Sequence, residues 1–493
     1  MKVLVATHPY AGHYNPTQPV VKELVRRGHE VVWMTGPTYG YKATSSGARF
    51  VPMSKGHLID DALEHSLPPG RFILSRVTAY LKRLMLDRIP AQVRDYQKVC
   101  ETFPADVLLV DYCTHGANIF YDLTGIPYAT LGINPLVTLD PEIPPWGFGE
   151  QPPRTFFGRC WNWLRHQLSI FLFMTSLTAV LNGYRVGLGL APRSRRRAFF
   201  DDIRSPLAHL QMTTPAFEFP RSQLPGNVKF VGPLMPAYDP RGFAYPDWWG
   251  EMLAHPREKV VHVTQGTVAT NVDALIKPTI RALADRDDLL VVVTGRNLYE
   301  VFRGLPVPEG VTKEALLDRI DMPPNVRVAP FVPHLKLLPH VGAMVTNAGY
   351  NGVLTALRCG VPLVCAGKSE DKADVSSRVQ YAGAGVDLRT ARPTAAAVRD
   401  AVLTIVGDAA FRDNAARIRD DFALHDPAGE AVDELERLAC LHRMPGSDDG
   451  EGEVEDDAET DVDDTDSGYA DTPESPSPIS EKAAGEEDEQ LWF

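Results

Sequence analysis

An alternation of strand-like and helix-like segments runs once along this chain, breaks, and starts again, and this limits its possible folds more than any other feature. Lys2 to Thr7 reads as a buried strand, Thr17 to Arg27 as a helix with Val20, Val21, Leu24 and Val25 on one face, and Glu30 to Thr35 as a second strand. Asp106 to Asp111, a helix through Leu123, and Tyr128 to Leu131 continue the pattern. The Pro/Gly/aromatic segment from Gly232 to Trp249 interrupts it. Strands at Val260–Thr264, Leu289–Thr294, Val326–Pro330, Ala343–Thr346 and Leu363–Cys365 then follow, with helices at Asp273–Ala284 and from about Gly352 to Cys359. Strands that alternate with helices predict parallel pairing, because a parallel connection needs a crossover. The expected fold class is therefore α/β, with two Rossmann-like doubly wound domains facing each other across a cleft. The predicted boundaries are 1–231, a linker at 232–249, 250–425, a C-terminal helix at 426–444 packing back on the body, and a tail at 445–493. Ligands of such sheets bind outside the carboxyl ends of the strands.

Charge becomes informative only when it is divided by region. The 493 residues carry a formal charge of −13, but 19 acidic residues against one Lys lie from Gly446 onward, leaving 44 acids and 49 bases before it. A mildly basic body suits an anionic small substrate and excludes a nucleic-acid footprint. The tail, almost without aliphatic residues, cannot bury enough apolar surface to offset its ordering entropy and is expected to be disordered. Its charge suits a basic partner, and Leu491-Trp492-Phe493 gives it an apolar end. The six cysteines show no metal-binding spacing, and no leader-like run precedes the first strand, so reduced thiols and a cytoplasmic location are expected. The uncharged run Leu168–Leu181 is shorter than the ~20 residues a spanning helix needs. It predicts a buried or interfacial helix, compatible with a peripheral membrane contact.

Three rims carry the chemistry. After the first strand come Thr7-His8-Pro9-Tyr10-Ala11-Gly12-His13-Tyr14-Asn15-Pro16, where Gly12 allows a close turn beneath a ligand and His13 is placed to take a proton from a hydroxyl. His8 competes for that role. Asp111 ends a strand on the same rim, where a carboxylate can fix an imidazole tautomer; an Asp there also caps helices. In the second half, Gln265-Gly266-Thr267 follows a strand, and Thr346-Asn347-Ala348-Gly349-Tyr350-Asn351-Gly352 leads from a strand into a helix whose N–H groups suit a diphosphate. Neither carries GxGxxG or a Walker lysine, which argues against dinucleotide and ATP enzymes. Glu370-Asp371-Lys372 sits at a third rim, where an acid and a base can bond sugar hydroxyls or form a solvated charge cluster. Asp285-Arg286-Asp287 has metal-binding spacing but closes a predicted helix among other charges, which favours a solvated helix end.

At these residues the chain resembles glycosyltransferase family 1, the UDP-glycosyltransferase and antibiotic glycosyltransferase group with the GT-B fold. The GHxNP loop, Phe230-Val231-Gly232-Pro233-Leu234 and the stretch from Asn325 to Leu388 carry the likeness over about residues 1–440. It is closest to a microbial subgroup with TNxGY and EDK motifs. The resemblance implies an inverting, metal-independent transfer of a hexose from a nucleotide sugar, a UDP-sugar by expectation, to a hydroxyl of a small hydrophobic acceptor. No cofactor beyond that co-substrate is implied. His13 matches the catalytic base and Asp111 its orienting acid. Gly12, Gln265, Gly266, Thr267, His334, Asn347, Gly349, Asn351, Asp371 and Lys372 fall at donor-binding positions. The chain departs from the pattern at Asn347 (usually His), Thr355 (often a ribose-binding Glu), Lys372 (usually Gln) and His334 (usually Gln), so sugar identity is left open. A nucleotide-sugar-binding scaffold and a nucleotide-sugar 2-epimerase are the two other readings.

Overall fold

The computed structural model describes residues 1–58, 78–194, 203–236, 243–266, 271–295 and 322–443. Thr267, part of the 232–249 segment and the acidic tail lie outside the described residues.

Among the described residues the strands form two parallel sheets. The first comprises β1 (Lys2–Ala6), β2 (Glu30–Thr35), β3 (Arg49–Pro52), β4 (Val107–Asp111), β5 (Tyr128–Gly132), β6 (Ala208–Gln211) and β7 (Val228–Phe230), in the order β3-β2-β1-β4-β5-β6-β7. The second comprises β8 (Val260–Thr264), β9 (Leu290–Thr294), β10 (Val326–Ala329), β11 (Ala343–Thr346), β12 (Leu363–Cys365) and β13 (Gly385–Asp387), in the order β10-β9-β8-β11-β12-β13. Strands such as β4 (VLLVD) and β8 (VVHVT) are buried along their whole length, because helices cover both sheet faces.

Among the described residues the helices of eight or more residues are α1 (Ala11–Arg26), α2 (Ile89–Thr102), α3 (Gly116–Thr124), α4 (Phe156–Ser169), α5 (Thr175–Gly187), α6 (Ile276–Leu283), α7 (Tyr350–Arg358), α8 (Lys372–Tyr381), α9 (Ala395–Gly407), α10 (Ala409–Phe422) and α11 (Pro427–Arg443). Two boundaries differ from the sequence reading in a way that matters. The first helix starts at Ala11, six residues before the expected Thr17, and contains Pro16 and Pro19. The helix after the second-half turn starts at Tyr350, so Asn351 and Gly352 are in its first turn. Prolines misled the first boundary: they are tolerated here because one of the carbonyls they free finds a partner from the other half of the chain.

One buried cluster runs through both halves, from Val3, Trp33 and Leu109 to Met344, Leu357 and Leu435. Beneath the first rim Trp33 stacks on Tyr14 at 4.4 Å and donates to Thr7 Oγ1 at 2.9 Å, which fixes the base of the loop. The last helix, α11, packs on α1, where Arg27 and His29 meet Asp433 and Glu436 at 2.6 and 2.8 Å.

Candidate active site

Parallel pairing of β1 with β4 aligns Ala6 with Val110, so residues after β1 and at the end of β4 share one rim at the point where the strand order reverses. There Asp111, fully buried, is the hub. It accepts the His8 backbone N–H at 2.6 Å, His8 Nδ1 at 3.1 Å, His13 Nδ1 at 3.0 Å and the Cys113 backbone N–H at 2.9 Å. Burial alone would raise its pKa, but the two imidazoles facing it hold its carboxyl well below the usual carboxylate range. An ionised carboxylate only accepts, so both imidazoles carry a hydrogen on Nδ1, and in a neutral ring the lone pair is then on Nε2. The His8 side chain is fully buried, whereas that of His13 is 20% exposed. Only the His13 lone pair therefore faces space a substrate can enter. His57, which bonds Asp95 at 2.9 Å, lies behind His8 with its pKa lowered by burial. His8, His13 and Asp111 offer three atoms within 4.8 Å that could hold a metal ion, though both Nδ1 atoms are already committed to the carboxylate.

Gly12 does not form the tight turn expected of it. It lies inside the first turn of α1, at no positive φ, and a Cβ there would meet nothing within 4 Å. The glycine keeps space open rather than bending the chain. Pro16, four residues on, has no N–H to give the Gly12 carbonyl. Asn351 Nδ2, from the first turn of α7, donates to that carbonyl at 3.0 Å. The two halves of the predicted site are thus joined one residue from His13.

On the second rim the turn after β11 passes through Ala348 at φ 62° and then Gly349, the residue that precedes α7. No side chain caps that helix start, so its first-turn N–H groups are open to an acceptor. Asn347 lies beside this turn: a Cβ on Gly266 would come 3.5 Å from its Oδ1. A Cβ on Gly367 would come 2.2 Å from the Asn347 carbonyl, which explains a glycine there. Gln265 and His334, predicted at donor positions, and Thr355, noted as a departure, make their contacts within the fold. Gln265 is buried, donating to Asn271 O at 2.7 Å and accepting from the Ile276 N–H at 3.1 Å, so it caps the approach to α6. Thr355 turns back on its own helix, to Asn351 O at 2.6 Å. His334 packs edge-on against His262 at 5.3 Å, and burial pushes its pKa down to about 4.

The third rim holds Asp371 and Lys372 at the start of α8. Asp371 is half-buried in the cleft, and desolvation, with Asp374 adding to it, pushes its carboxyl up to about 7 despite opposing pulls from His13 and Arg378. Lys372 pairs with Glu370 and is pushed down to about 8 by burial. Of the DxD pair, Asp285 is exposed and bound by Arg399. Asp374 was not anticipated. It accepts the Gly147 and Gly149 N–H groups at 2.6 and 3.2 Å, fastening a first-half loop to α8. Its i, i+3 spacing from Asp371 on one helix was the available signal.

A separate cavity of about 1330 Å³ lies between α4 and the loops at 138–142 and 222–227, lined by Phe156, Arg159, Trp163, Leu164, Arg204 and Leu224 among others. None of the predicted site residues lines it.

Residues 310–438 match the family described as "Erythromycin biosynthesis protein CIII-like, C-terminal domain". The chain is 40% identical to 4'-demethylrebeccamycin synthase of Lentzea aerocolonigenes, over 89% of this chain and 99% of that protein. It is 30% identical to UDP-glucosyltransferase A1 of Starmerella bombicola, over 89% and 92% of the two chains. Among solved structures it superposes on the calicheamicin glycosyltransferase CalG4 with a TM-score of 0.66 at 21% identity, over 90% of this chain and 99% of that one.

Proposed function

The chain belongs to glycosyltransferase family 1 and is a glycosyltransferase of GT-B fold, and from that premise we propose that it transfers a hexose from UDP-sugar to a hydroxyl of a small hydrophobic natural product, sterol or lipid, with inversion and without a metal. The observation that carries this reading is the joining of the Asp111–His13 pair to the open start of α7 through Asn351 and Gly12. A relative named a UDP-glucosyltransferase supports the UDP donor, and one named 4'-demethylrebeccamycin synthase supports a natural-product acceptor.

In this mechanism Asp111 holds His13 with Nδ1 protonated, and Nε2 takes the acceptor proton. The acceptor oxygen forms its bond to the anomeric carbon as the carbon–phosphate oxygen bond breaks on the opposite face. The diphosphate leaves with the electron pair, stabilised by the α7 N–H groups and helix dipole, with Gly349 and Asn351 beside it and Asn347 at the turn. That dipole supplies positive potential where other enzymes use a cation. Asp371 and Lys372 are assigned to the sugar hydroxyls.

Acceptor-dependent nucleotide release tests the proposal. His13→Ala should lower it at least about 100-fold with donor binding retained, and a chelator should leave the wild-type rate unchanged. Product anomers of retained configuration, or full turnover by His13→Ala, would defeat the mechanism. Donor binding without transfer to any acceptor would favour the scaffold reading.

A further inference from the structure

The first residue of α7, Tyr350, is buried, and its hydroxyl meets the other half of the chain: Gln211 Nε2, at the end of β6, donates to it at 3.2 Å. Gln211 is fully buried, and its neighbours fix which way its amide faces. Its Nε2 lies 2.8 Å from the Asn134 carbonyl, which can only accept, so this atom is the nitrogen and Oε1 the acceptor. His209 Nε2, 3.1 Å from Oε1, therefore carries the hydrogen. Burial pushes the His209 pKa down to about 3, so the ring is neutral and its Nδ1 lone pair takes the Thr130 hydroxyl at 2.8 Å. Thr130 Oγ1 in turn accepts the Ser205 N–H at 3.1 Å. Parallel pairing sets Thr130 beside His209 and Gly132 beside Gln211, so the four positions share one face of β5 and β6. A Cβ on Gly132 would come 2.5 Å from Gln211 Oε1 and 2.7 Å from His209 Nε2, so the glycine leaves room for the pair. Every hydrogen in this buried chain has one direction, and the chain ends on α7.

Two successive residues thus tie the start of α7 to the first half, Tyr350 to β6 and Asn351 to the Gly12 carbonyl of α1. The same turn presents the uncapped N–H groups to which the diphosphate is assigned, with the Gly12 turn facing them. How the first half holds α7 then sets the width of that seat, and a small displacement of aligned donors is enough to weaken it. The Tyr350 side chain is buried, so its hydroxyl acts through the helix and not on the ligand.

We propose that Tyr350 is a positioning residue for the nucleotide donor: its hydrogen bond with Gln211 holds the first turn of α7 at the spacing from the first half that a nucleoside diphosphate needs. The proposal rests on the assignment of the diphosphate to that turn. Tyr350→Phe removes the hydroxyl and keeps the ring packed. Calorimetric titration of the full chain with UDP and with dTDP, well below the unfolding midpoint, should show affinity for whichever nucleotide the wild type binds falling about fivefold in this variant. Donor KM should rise in step while acceptor KM stays, a split that lost stability alone does not produce. On a Gln211→Met background Tyr350→Phe should add no further loss, because the partner of its hydroxyl is already gone. An affinity within about twofold of wild type, donor and acceptor KM rising together, or losses that multiply in the double variant overturn the proposal. A wild type that binds neither nucleotide overturns it together with the reading it rests on. Nucleotide binding without transfer to any acceptor defeats the transferase mechanism alone, and the affinity comparison still decides the role of Tyr350.

Discussion

Asp111 receives four N–H donors and the side chain of His13 depends on it, so the tautomer of the base is set by a group that never touches substrate. Asp371 is the opposite case, a carboxylate held short of full ionisation at neutral pH by its surroundings. With its carboxyl near 7, protonation removes a hydroxyl acceptor as pH falls below that value. Initial rates across pH 5.5–8.5 should therefore show the donor KM rising on the acid side of about 7, with Asp371→Asn flattening the profile and raising KM throughout. The stability sign is also defined. The folded carboxyl titrates near 7 and the unfolded one near 4, so the folded chain binds the extra proton between them and loses stability as pH rises through that window. Asp371→Asn should then gain about 1–2 kcal/mol at pH 8 and nothing at pH 4, read from denaturant midpoints.

At the scale of an element, α1 shows how a local defect becomes a long-range contact. Pro16 costs the helix one hydrogen bond, and the freed Gly12 carbonyl is taken by Asn351 of α7. Pro16→Ala restores an N–H that competes for that carbonyl. The expected outcome is a more stable helix, by about 1 kcal/mol in thermal or denaturant unfolding, together with a severalfold higher donor KM. A KM unchanged in this variant would show that the Asn351 contact does not support donor binding. The alternation of apolar and polar positions announced α1 correctly from Thr17 onward, but the Asn-Pro pair hid its first turn. A proline reads locally as a boundary, and only the distant asparagine makes it an interior residue.

Across the whole molecule, α8 fastens the two halves together. Arg378 donates to Glu218 at 2.9 Å while Arg221 approaches the same carboxylate at 3.2 Å, and the Arg378 guanidinium lies 4.3 Å over the Phe219 ring. Burial would raise the Glu218 pKa, and the two guanidinium groups outweigh it and hold the carboxyl below its ordinary value. Arg378→Met leaves a buried carboxylate with one cation instead of two. It should cost roughly 3 kcal/mol and lower the thermal midpoint by about 5 °C at pH 7. The stability Glu218 contributes is present above its unfolded value, near 4.3, and is lost as pH falls through the depressed native one. The difference between wild type and variant should thus narrow by pH 3 in the same scan. Because Asp374, one turn from Arg378, also holds the Gly147–Gly149 loop, the variant should raise both substrate KM values more than it lowers kcat.

Hydrophobic runs of β-branched residues, the turns after them and the restart after Trp249 were enough to specify two parallel sheets and the rims on which His13, Asp111, Asn347, Gly349, Asn351 and Asp371 stand. That information is local: a strand that must be buried on both faces and a loop at its carboxyl end are written in consecutive residues. The strands β3, β6, β7 and β13 escaped such a reading. Side-chain direction was decided only by tertiary structure. Gln265 and Thr355 bond neighbouring backbone, His8 is sealed behind Asp111, and Asp374 reaches across to another half of the chain. The outcomes at His8 and Asp374 depend on which donors and acceptors packing brings into hydrogen-bond reach, a distance no sequence spacing encodes when the partners lie a hundred or more residues apart.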